Sequence, residues 1–237
     1  MKTTTPPPSR LARAFTLVEI LVAITVMGLV VTGVIRLLSQ TMRTYFYDGA
    51  RARINRDIRT FTQDMDTDAA YANYFLVYPD FSTRTKNSGT ADNYLVDGQS
   101  GDFLLLVSVS IDATTGNQYI NKLVGYYRDA ASNAVGPVRK FTVNISPSVD
   151  PTTLGATPMA TLLNSNVPTA NQSTYPIVVQ LAQALAVGTS NTEGLFYDFK
   201  DRSVMVRGQI IETGSGSAND VNRRAVNTYN FAVSPRG

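Results

Sequence analysis

The side chains that most often carry out catalysis are scarce in this chain of 237 residues. It has no His and no Cys, which removes the commonest general base, the commonest metal ligand, thiolate nucleophiles, disulfides and zinc–thiolate centres. Carboxylates, Ser and Lys remain, and two carboxylate groupings stand out. The first is Asp64, Asp66 and Asp68 in "DMDTD", which has the D-x-D-x-D opening of a calcium loop. The glycine that such a loop needs is missing, Ala69 follows instead, and on a helix the three carboxylates diverge, so a solvated helix face is the expected reading. The second is Glu19, alone in an apolar run, with Arg10 and Arg13 shortly before it. A carboxylate there is either an interfacial group complementing the positive end of a helix or an intramembrane charge that needs a partner from another chain. There is no phosphate loop, dinucleotide fingerprint or repeat, and no spacing nominates an active site. No cofactor, no metal and no enzyme activity are expected.

The element that positions Glu19 is the apolar run itself. From Phe15 to Ile35 the chain is interrupted only by Thr16, Glu19, Thr25, Gly28, Thr32 and Gly33. As a helix at ~1.5 Å per residue the run covers roughly 32 Å, enough for a hydrocarbon core of ~30 Å. Threonine hydroxyls can return to backbone carbonyls, so they are tolerated there. The residues before it, "MKTTTPPPSRLARA", are proline-rich and basic. Lys2, Arg10 and Arg13 equal the whole net charge of +3, and setting them aside leaves eighteen residues of each sign. The basic character belongs to this leader, and nucleic acid is a disfavoured partner for the rest. A secretory signal peptide also begins with basic residues and an apolar run. This run is long for one, and Val31–Gly33 is a feeble cleavage site.

The stretch "RAFTLVEILVAITVMGLV" resembles the N-terminus of type IV pilins and type II secretion pseudopilins. The resemblance covers Ala14 to Leu38 and lies in the order basic leader, small residue, Phe-Thr-Leu-x-Glu, apolar helix. It implies that prepilin peptidase cuts between Ala14 and Phe15, that Phe15 becomes an N-methylated terminus, and that Glu19, with Phe15, Thr16 and Leu17, serves assembly. In that family the carboxylate meets the N-terminal amine of a neighbouring subunit. Implied partners are other pilin or pseudopilin subunits, the peptidase, the inner-membrane assembly platform and the membrane. The leader would be cytoplasmic and the head extracytoplasmic. Ala14 stands where the family usually has Gly. No proline interrupts the apolar half of the helix, and Arg36 lies about there, which leans toward a minor pilin or a J- or W-type minor subunit. A binding module displayed on a pilus, either an adhesin or a DNA receptor for uptake, is the alternative.

Beyond the span, Ile54, Ile58, Phe61 and Met65 fall on one helical stripe that points at a globular head. Gly49 is a weak interruption, and the helix is expected to end near Asp68–Tyr74, before Pro79. The arginines between Arg43 and Arg59 have two readings, contact with the phosphate of a lipid headgroup or DNA and ordinary surface ion pairing with Asp48 and Asp57, of which the second is preferred. Strands are expected at 102–111, 121–129, 138–145, 194–199, 203–212 and 225–233, in an antiparallel arrangement. Residues 146–176 read as a long loop, and 177–187 as either a short buried helix or a strand. Tyr119, Tyr126, Tyr127, Phe196, Tyr197 and Phe199 are expected to pack in the core or on a sheet face. The expected fold is α+β, with a leader at 1–14, a spanning helix at 15–38, its amphipathic continuation at 39–78 and a β-rich head at 79–237.

Overall fold

The computed structural model describes residues 16–86, 91–129, 136–150, 159–184, 186–187, 191–192, 194–213 and 224–236. Ala14 and Phe15 lie outside the described residues. The fold is α+β, and its contacts divide the chain into two units, Met1–Phe46 and Tyr47–Gly237. Helix α1 (Leu17–Ala70) runs from the first unit into the second and passes Gly49 without a break in its assignment.

Described by itself, the first unit is the apolar part of α1. Every residue from Thr16 to Phe46 is exposed. This is the one helix among the described residues that is long and apolar enough to cross a membrane. Its threonines bond back one turn, Thr25 Oγ1 to the Leu21 carbonyl at 2.8 Å and Thr32 Oγ1 to the Gly28 carbonyl at 2.8 Å. Those hydroxyls therefore need no water.

The second unit contains the rest of α1 and thirteen strands. They are β1 (Tyr74–Tyr78), β2 (Thr85–Lys86), β3 (Ala91–Asp92), β4 (Ser100–Gly101), β5 (Phe103–Ile111), β6 (Gln118–Arg128) and β7 (Gly136–Val149). After α2 (Met159–Asn166) and a 3-10 turn (Thr169–Thr174) come β8 (Ile177–Ala184), β9 (Ala186–Val187), β10 (Asn191–Thr192), β11 (Phe196–Phe199), β12 (Ser203–Thr213) and β13 (Arg224–Val233). Nine of them form one sheet in the order β1-β5-β6-β7-β8-β12-β11-β4, with β13 also on β12. Every pairing in it is antiparallel. The two ends of this order, β1 and β4, come side by side. Gly101 is required there, because a Cβ on it would lie 2.0 Å from the Tyr78 carbonyl oxygen.

Strand β5 explains how the sheet is built. Its apolar residues alternate between two cores: Leu104 and Leu106 join α1, whereas Phe103, Leu105 and Val107 join the other side. Burial on both faces is why this strand reads as a continuous apolar run. On the first side the helical stripe is buried as expected, with Ala50, Ile54, Phe61, Met65 and Ala69 in the core and Ile58 packed against it. Phe61 meets Tyr126, Tyr229 and Phe231 edge to face at 5.9, 6.0 and 5.8 Å. On the second side an aromatic cluster holds Tyr78, Phe81, Phe103, Tyr127 and Phe141, with Phe81 stacked on Tyr127 at 4.1 Å.

Two expectations are corrected, and one left open is settled. The element drawn over 39–78 ends as helix at Ala70, and Tyr74–Tyr78 is strand β1, paired with β5. Tyr71 and Ala72 close the helix with amide bonds three residues back, to the Asp68 and Ala69 carbonyls. The aromatic and β-branched "YFLVY" then finds its backbone partners across the sheet. The long loop at 146–176 instead carries the end of β7, α2 and the 3-10 turn. Met159, Leu163 and Val167 from it cover the second aromatic core. Asp92 caps α2 from another part of the chain, accepting the Met159 and Ala160 amides at 2.8 and 2.6 Å. Within 177–187, left open between helix and strand, residues 177–184 form β8 and 186–187 form β9.

The Glu19 helix terminus as the candidate assembly site

Thr16 and Glu19 are spaced as an N-cap residue and the third residue of the helix it caps, and they bond reciprocally. The Thr16 amide donates to Glu19 Oε2 at 3.0 Å, and the Thr16 hydroxyl donates to the same oxygen at 3.1 Å. The Glu19 amide donates to Thr16 Oγ1 at 3.2 Å. The carboxylate sits in the first turn, where the unpaired amides of a helix start favour negative charge. This answers why a carboxylate is tolerated at the head of an apolar helix: it completes the helix end.

Of the residues expected to serve assembly, the structure joins Thr16 to Glu19 and places Leu17 beside them, 79% exposed. Ala14 and Phe15 are outside the described residues. The capping role of Thr16 was missed in reading the sequence, although T-x-x-E before an apolar run is its signal. Around the terminus Val18, Ile20 and Leu21 are all more than half exposed. The site therefore combines a charge held in place with apolar surface open to lipid or to another helix.

The other carboxylates form no comparable centre. Asp64, Asp66 and Asp68 lie along α1, and among the described residues no group of three or more acids could hold a metal ion. Asp68 instead accepts from Lys140 Nζ at 2.5 Å and from the Tyr126 hydroxyl. Burial, then the Asp68 carboxylate, push the Tyr126 phenol far above its ordinary range, so it stays a donor. Asp102 pairs with buried Arg128 and accepts the Leu195 amide at 3.0 Å. Asp198 is buried beneath the β11–β12 turn, where Lys200 and Asp201 take left-handed φ of 58° and 52°. Burial first, and then the neighbouring Asp201 and Asp97 carboxylates, push the Asp198 carboxyl up to about 6, against the opposing Asp201 amide. Of the singled-out aromatics, Tyr126, Tyr127 and Phe196 are buried, Tyr119 and Tyr197 half-buried, and Phe199 is exposed.

Comparison with known proteins adds one finding. The model of the prokaryotic N-terminal methylation motif matches residues 9–35, the stretch that contains the Thr16–Glu19 cap and the first part of α1. No curated protein and no solved structure matches the chain. The motif opens an apolar helix long enough to cross a membrane and precedes an antiparallel head, an arrangement that supports a structural role like that of the type IV pilins and pseudopilins.

Proposed function

We propose that this chain is a minor subunit of a type IV pilus or a type II secretion pseudopilus, acting in assembly initiation or at the tip. Prepilin peptidase removes residues 1–14, leaving Phe15 as an N-methylated terminus. The helix holds the mature chain in the inner membrane, with the head outside the cytoplasm, until the assembly platform draws it into a filament. The observation that carries the reading is the reciprocal Thr16–Glu19 cap opening an exposed apolar helix.

The mechanism follows from charge. Cleavage creates an α-amine one turn before Glu19. An amine and a carboxylate held separately at a bilayer each carry a desolvation cost, and pairing them between subunits lowers both. In the free chain Thr16 satisfies Glu19. On assembly the amine of a neighbour takes its place or joins it, setting the axial register while apolar flanks supply packing. Successive subunits meet head to tail, an open heterologous arrangement that continues into a filament. Arg36, where major pilins typically have a proline, favours a minor subunit. Sorting the chain from cells with and without the peptidase tests processing, and recovery of Glu19→Ala from sheared filaments tests assembly. Full incorporation of that variant would refute the charge mechanism.

A further inference from the structure

Over Leu17–Leu38 the exposed apolar side chains surround α1, Ile20, Leu21, Val22 and Ile24 among them, and no face is set apart as a packing stripe. Such a surface suits lipid rather than one protein neighbour. Its length then locates its ends. The twenty residues from the Thr16 cap to Arg36 rise ~30 Å, the ~30 Å thickness of a hydrocarbon core. A capped start at one boundary brings Arg36 to the other.

Composition changes there. Ser39, Gln40, Thr41, Arg43 and Thr44 enter the helix, all exposed. Tyr45 and Phe46 follow, 76% and 64% exposed, meeting edge to face at 6.1 Å. Arg36, Gln40 and Arg43 follow one another at four and three residues, so they share a helix face. Neither arginine has an acid three or four residues away on its own helix. Arg36 and Arg43 start ~10 Å apart along the axis; Arg43 leans back toward Gln40, while Arg36 at the hydrocarbon boundary snorkels outward toward it. Two guanidinium forks converging on an amide from either side match phosphodiester oxygens.

The geometry points to a headgroup-binding collar on α1, in which Arg36 and Arg43, assisted by Gln40, hold anionic phospholipid of the extracytoplasmic leaflet and fix the depth of the helix before assembly. It rests on the membrane-spanning reading above. The native chain has no Cys, so single cysteines report depth directly. The full chain carrying Leu29→Cys, Gly33→Cys, Ser39→Cys or Thr44→Cys is placed in nanodiscs of phosphatidylcholine and phosphatidylglycerol and exposed to a membrane-impermeant maleimide. Positions 29 and 33 are expected to be protected, and 39 and 44 to react. Adding Arg36→Leu is expected to extend protection by about one turn, past position 39, while Arg36→Lys leaves the boundary in place. Native mass spectrometry supplies a second readout: phosphatidylglycerol adducts of the cysteine-free chain are expected to fall about five-fold for each arginine replaced by leucine. An unmoved boundary in Arg36→Leu, unchanged adducts in Arg36→Leu/Arg43→Leu, or displacement of the adducts by inorganic phosphate would each overturn the collar. Labelling at both 29 and 33 would instead overturn the spanning reading beneath it.

Discussion

Thr16 donates to Glu19 from both its amide and its hydroxyl, so the carboxylate has a partner before any other subunit arrives. Capping and charge can be separated at this position, because glutamine caps as glutamate does but carries no charge. Glu19→Gln is expected to keep the helix start and leader removal, yet to lose filament incorporation as Glu19→Ala does; immunoblots of membrane and sheared-filament fractions read both. Thr16→Val is expected to weaken the helix start by about 1 kcal/mol, seen as faster amide exchange over the first turn of α1. Asp198 supplies a separate pH prediction. Its folded value of about 6 lies above the ~3.9 of an unfolded aspartate. The folded state therefore holds the proton longer, and the stability it contributes is present at low pH and lost as pH rises through about 6. Asp198→Asn, which can still accept the Asp201 amide, is expected to flatten the melting temperature between pH 4 and pH 7 and to raise it at pH 7.

At the scale of elements, the second half of α1 is held by an apolar stripe and by polar links to the sheet, at Asp68 and at Asn55, which accepts from Asn227 at 2.7 Å. Phe61 is fully buried among three aromatic rings. Phe61→Ala is expected to cost ~3–5 kcal/mol, measured by chemical denaturation of the detergent-solubilised chain. Asp68 ties the last turns of the helix to the sheet through Lys140 and Tyr126. Its removal in Asp68→Ala leaves a buried phenol and an ammonium short of a partner, an expected loss of ~1–3 kcal/mol in the same assay. The stripe was legible because a 3.6-residue period survives in Ile54, Ile58, Phe61 and Met65. The longer strands were legible from alternation and turn residues. Strand β1 was not, because "YFLVY" follows the helix with only three residues between and its pairing with β5 is settled by distant contacts. Helix α2 was hidden in part because the cap it uses is Asp92, more than sixty residues earlier, and its local start signal, Thr157-Pro158, sits in a Ser-, Thr-, Pro- and Asn-rich stretch that reads as loop.

For the whole molecule, two units carry two different physical tasks. Among the described residues the first exposes apolar surface on all sides and carries Glu19 in the first turn of its helix; the second buries two cores on the faces of a nine-stranded antiparallel sheet. The residues expected to serve assembly, Phe15, Thr16, Leu17 and Glu19, could be nominated from sequence because their chemistry is local: a small residue before them, a new terminus and a carboxylate one turn on. The head's role was not readable, since binding surfaces are made by residues from separate strands, and neither pattern nor charge marks such a surface in advance. The central claim, that Ala14–Phe15 is a processing junction creating the amine for Glu19, is tested most directly by the N-terminal sequence and mass of the mature chain from native membranes. The expected result is a chain beginning at Phe15 with one added methyl group. A mature chain still beginning at Met1, or one beginning beyond Ile35, would contradict it.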